Sequence, residues 1–172
     1  MMFANSTILS ISAITVQSTI NQQAGNAIEF IQMNARLATS ISNDTSGNIL
    51  TLGFDDNFAT DSNGDGKTYN DRDHYGRFQF LGVNSTNSAA CATNRLIYFP
   101  NINSTNKQVL ISSGLRNLPG YKIFTVTNNN TVIIRFGMVD PQARDHYQAI
   151  EIQGTAVSLN RPATTNFISI LP

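Results

Sequence analysis

Residues 61–74 read DSNGDGKTYNDRDH, a dense run of oxygen donors in a chain otherwise poor in charge. Asp61, Asn63 and Asp65 alternate and Gly66 follows, which is the D-x-N-x-D-G spacing of the first half of a calcium loop. Alternate positions curl three side-chain oxygens round one centre, and the glycine permits the sharp turn. Lys67 is placed to add its backbone carbonyl. A complete EF-hand loop closes with Glu at its last position, where this chain has Arg72; Asp71 and Asp73 flank it and are the groups that would complete the shell. With oxygen ligands alone the expected ion is Ca2+, held in a structural role at the weak affinity of extracellular modules. Zinc would need His or Cys ligands, and His74 beside Asp73 reads as a surface or strand-start residue. The competing expectation is an Asx- and Gly-rich solvent loop.

Other constellations carry less chemistry. Asp55 and Asp56 with Asp61 could form a carboxylate pair of the kind that hydrolyses glycosides, but adjacent acids in a loop are usually solvated, and the chain has no Trp to stack a sugar. DPQARDH (140–146) gathers Asp140, Arg144, Asp145 and His146, which reads as a polar loop with surface ion pairs of little energetic weight. No Gly-rich phosphate loop follows a strand. Cys91 is the single cysteine, so no intrachain disulfide can form, and a small buried or loop thiol is expected there. The N-x-[ST] sequons at Asn5, Asn43, Asn84, Asn103 and Asn129 matter only in a glycosylating secretory system. The expected protein is not an enzyme.

The composition narrows the class further. A chain of 172 residues supports one domain with a proper core. Its 11 Lys+Arg balance 11 Asp+Glu, so no basic surface is available to wrap nucleic acid. Charged residues make up 13%, about half the usual share, and Asn, Ser and Thr take their place. Such surfaces are common on exported proteins and filaments.

Two periodicities must position these groups. Ile20, Ala24, Ala27, Ile28, Ile31, Ala35 and Ala38 recur at spacings of three and four, one face of a helix. No proline interrupts residues 1–43, so one long helix is expected there, with Gly25 costing about 1 kcal/mol against Ala and SNDTSGN (42–48) stopping it. The opening stretch MMFANSTILSISAITV is apolar but broken by Asn and Ser; it reads as neither a signal peptide nor a complete span of about 20 apolar residues. Beyond residue 44 the period becomes two. Strands are expected over 48–54, 75–83, 94–100, 107–115, 121–127, 131–139 and 147–160, with an Asn turn at 128–130 and a bulge or bend at Gly154. The expected fold class is α+β, with a helix (1–43) packed on an antiparallel sheet (44–162) and a tail (163–172).

STINQQAGNAIEFIQMNARLATSI (18–41), SGNILTL (46–52) and EIQGTAVSLNRP (151–162) resemble, in turn, the amphipathic half of the N-terminal helix, the strand after it and the closing strand of a type IV pilin-like protein. The resemblance is to a minor pilin or a minor pseudopilin of a type II secretion system. It implies a pilin-like fold and a structural subunit that assembles into a filament through its helix. Its partners would be other pilin-like subunits, the secretion or pilus assembly machinery, and the inner membrane through a segment missing from this chain. It implies a periplasmic or cell-surface location. The prepilin leader, the Phe that begins the apolar span and the early Glu of that family have no counterpart here; MMFANSTIL resembles the tail end of the span, and Glu29 lies too far along to stand for that Glu. The face Ile20, Ala24, Ala27, Ile28, Ile31, Ala35 and Ala38 is then the expected assembly face. The alternative is a secreted calcium-stabilised β-rich module for adhesion or carbohydrate binding.

The calcium expectation has a direct test. Titration calorimetry with Ca2+ should give binding heat that disappears in the Asp61→Ala, Asp65→Ala double variant. No heat with the unsubstituted chain would end the metal assignment.

Overall fold

The computed structural model describes residues 2–55, 74–83, 90–128, 130–139 and 150–159, with side chains from residue 17 onward. Among them there is one α-helix, α1 (Met2–Leu37). Nine strands follow: β1 (Ser40–Asn43), β2 (Ile49–Phe54), β3 (His74–Leu81), β4 (Arg95–Phe99), β5 (Gln108–Ile111), β6 (Leu115–Arg116), β7 (Phe124–Thr127), β8 (Thr131–Met138) and β9 (Ile150–Val157). The first five form one antiparallel sheet in the order β1-β2-β3-β4-β5. In the second sheet, β8 pairs with β6 and β7 and with β9.

This corrects the expected fold class. Among the described residues the chain is mostly β, with one helix and two antiparallel sheets, and is not the α+β pilin-like arrangement of a long helix laid on a sheet. The division falls inside 107–115, which alternation alone marks as a single strand. The chain breaks at Ser112–Gly114, where Gly114 adopts φ +75°, a left-handed conformation that glycine enters without steric cost. Gly114 N–H donates to the Cys91 carbonyl (3.2 Å) and its carbonyl accepts from Val139 N–H (2.9 Å), so the turn is fixed from both sides. Asn94, fully buried, braces the same corner. Its amide accepts from Val83 N–H and donates to the carbonyls of Val83 and Leu115, each at 2.9 Å.

The helix also stops earlier than its lack of proline allows. It ends at Leu37, and SISN becomes β1, hydrogen-bonded to β2 from Ser40↔Gly53 to Asn43↔Leu50. The terminal carbonyls of a helix need donors, and the residues just after β9 supply them at this end. Leu159 N–H donates to Arg36 O at 3.1 Å, and Ser158 Oγ donates to Ala38 O. Thr39 then turns away from the helix, donating to Gly53 O through both N–H (2.8 Å) and Oγ1 (3.1 Å).

The turn between β1 and β2 is organised by Asp44. Its carboxylate accepts from Ser46 Oγ and from Ile49 N–H at 2.8 Å. Gly47, at φ +71°, passes the connection on to the second sheet, because its carbonyl accepts from Phe124 N–H at 2.9 Å. β7 and β8 pair as a hairpin as expected, with Thr127 opposite Thr131 and Asn128 at φ +53°.

Gly154 is not a bulge. The β8–β9 register runs unshifted through Ile134↔Gly154. The missing side chain makes room for the helix instead: a Cβ there would lie 2.5 Å from Ile28 Cγ2. Gly154→Ala should therefore destabilise the fold by about 1–3 kcal/mol through overpacking. Combined with Ile28→Ala it should cost less than the sum of the two single changes, as denaturant titrations of the four-variant cycle would show.

Burial works to raise the Asp44 pKa, but hydrogen bonds from Ser46 Oγ and from the N–H groups of Ile49, Asn48 and Ser46 outweigh it and hold the carboxyl below its usual range. A depressed carboxyl adds stability that is present above its unfolded pKa, near 4, and lost as pH falls through the folded value. Asp44→Asn should thus lower stability at neutral pH and lose less on acidification below about pH 4, measured by denaturant unfolding at several pH values.

Candidate functional site

The second half of α1 is held from two sides. Toward the second sheet, Ile28 seats over Gly154 and Gln32 Nε2 donates to Thr155 O at 2.9 Å. Toward the first sheet, Phe30 meets Phe78 and Tyr98 edge-on, with ring centroids 6.1 and 5.2 Å apart. Phe78 and Tyr98 stack on each other at 4.5 Å. Such ring contacts are worth about 0.5–1.5 kcal/mol each beyond the area they bury. Tyr98 OH donates to Asn34 Oδ1 at 3.1 Å, while Asn34 Nδ2 donates back to Phe30 O at 2.8 Å, one turn up the helix. Burial pushes the Tyr98 phenol pKa up, which keeps the hydroxyl protonated and able to donate.

Of the residues expected on the assembly face, Ala24, Ala27, Ile28, Ile31, Ala35 and Ala38 are buried in the core of this chain, and Ile20 is half-buried at its margin. They hold the helix to its own sheets. The opposite side of the same stretch is exposed and carries Asn26, Glu29, Met33, Arg36 and Leu37, with Met33 and Leu37 more than half accessible (54% and 57%). Gln17, Ser18 and Thr19 are exposed as well, and among the described side chains Ile20 is the first along the helix to pack against the core. At 1.5 Å per residue the 36-residue helix is roughly 54 Å long, and Ile20 lies midway along it.

The expected calcium ligands Asp61, Asn63, Asp65, Lys67, Asp71 and Asp73 lie outside the described residues. What is described is the base of their connection, between the end of β2 and the start of β3. There Phe54 and His74 are cross-strand partners with rings stacked at 5.0 Å, and Asp55 is buried beside them. Among the described residues, no group of three or more His, Cys, Asp or Glu side chains is placed to hold a metal ion. The polar cluster at 140–146 also lies outside them.

Cys91 is fully buried in a short 3-10 turn, Ala90–Thr93. Burial raises its pKa and Arg116 acts against that, with a net rise that favours the protonated thiol over the reactive thiolate. On the outer face of the second sheet, Arg135 lies over the Tyr121 ring at 3.5 Å and pairs with Glu151, its cross-strand diagonal neighbour. Among the described residues, no helix is long and apolar enough to cross a membrane. No family model matches the chain, and no curated protein or solved structure matches it.

The contacts that fix the helix were only partly visible in the residue pattern. Phe30 and Asn34 stand four apart and so share a side of the helix, but nothing in the sequence joins them to Tyr98. Tyr98→Phe should leave Asn34 Oδ1 without its donor and cost about 1 kcal/mol. Urea unfolding would measure it, with Asn34→Ala in the same cycle showing whether the two side chains are coupled.

Proposed function

We propose that this chain is a non-enzymatic structural subunit of a type IV pilus-like or type II secretion pseudopilus filament. The observation that carries the proposal is the length of α1. The helix runs unbroken for 36 residues, Met2–Leu37, and in this proposal its first half is the part that meets other chains. Since Ala24, Ala27, Ile28, Ile31, Ala35 and Ala38 are occupied by the chain's own sheets, contacts between subunits fall to the stretch before Ile20, where MMFANSTILSISAITV supplies the apolar groups. The β body then forms the outward head, and its low charge and Asn, Ser and Thr surface keep it from associating nonspecifically. In this assignment the subunit is periplasmic or at the cell surface, anchored in the inner membrane before assembly, with other pilin-like subunits and the assembly machinery as partners. Calcium at Asp61, Asn63 and Asp65 would pin the connection between β2 and β3 without taking part in assembly.

A second assignment, a secreted calcium-stabilised β-rich module for adhesion or carbohydrate binding, draws support from the two antiparallel sheets that dominate the body. The two separate on what the helix does. Sedimentation of the full chain should show concentration-dependent association. A chain beginning at Gln17 should remain monomeric, because the stretch assigned to assembly is gone. A full chain that stays monomeric at high concentration would overturn the filament assignment, and binding of either chain to a glycan panel would favour the second.

A further inference from the structure

We draw no further inference here: the strongest candidate, the exposed apolar side chains Met33, Leu37 and Leu159 where the end of β9 meets the outer side of the helix, carries nothing because nothing in the structure shows what covers it.

Discussion

A helix can be stabilised by packing only along the length its neighbours reach, and in this protein the described packing runs from Ile20 to the chain's turn at Ala38–Thr39. Isolated helices gain little in water, so an apolar face laid against other elements supplies most of their stability. Here the face is built of Ala and Ile, and at Gly154 the Ile28 side chain comes so close that a methyl group has no place. The rest of the structure is arranged around that seat. The inner face of the second sheet offers Val132, Ile134, Phe136 and Ala156, and that of the first offers Leu50, Leu52, Phe78 and Leu96.

Dividing the strands between two sheets follows from the same requirement. A single flat sheet presents one face to one side of a helix, whereas two sheets can take hold of adjoining sides. Phe30 and Asn34 turn toward Tyr98 in the first sheet while Ile28 and Gln32 turn toward β9 in the second. The sheets are tied to each other away from the helix as well. Asn43 Nδ2 donates to Phe124 O at 3.2 Å, Gly47 O accepts from Phe124 N–H, and Asn94 spans from Val83 to Leu115. Buried amides of this kind hold position because leaving one partner unmet costs more than the bond itself contributes.

Local periodicity was readable and partnership was not. The three-and-four spacing from Ile20 to Ala38 marks the buried stripe, and period-two alternation finds β2, β3, β4 and β8 within a residue or two of their ends, and β7 with its start three residues early. The triple Asn marked the β7–β8 hairpin because asparagine tolerates a positive φ. Alternation says which side of a strand is apolar and is silent about which strand lies beside it, so one sheet was expected where two exist. Ser112–Gly114 looks like a weak stretch of a long strand until the bonds from Cys91 and Val139 show it to be a corner. SISN (40–43) falls inside the expected helix because its pairing with β2 lies outside its own residues. As for the candidate site, the calcium spacing is a property of the sequence alone, while the grip on the helix depends on contacts between residues far apart in the chain.

That distance in sequence sets an order of events during synthesis. Gln32 waits for Thr155, 123 residues further on, and Ala38 waits for Ser158, 120 residues further on. At translation rates of about 5–20 residues per second, the helix leaves the ribosome on the order of ten seconds before the strand that completes its seat exists. Contacts of such high order form late and slowly. During that interval Ala24, Ile28, Ile31 and Ala35 lack the side of their seat that β9 supplies, and the nascent chain carries an apolar stripe until that strand arrives.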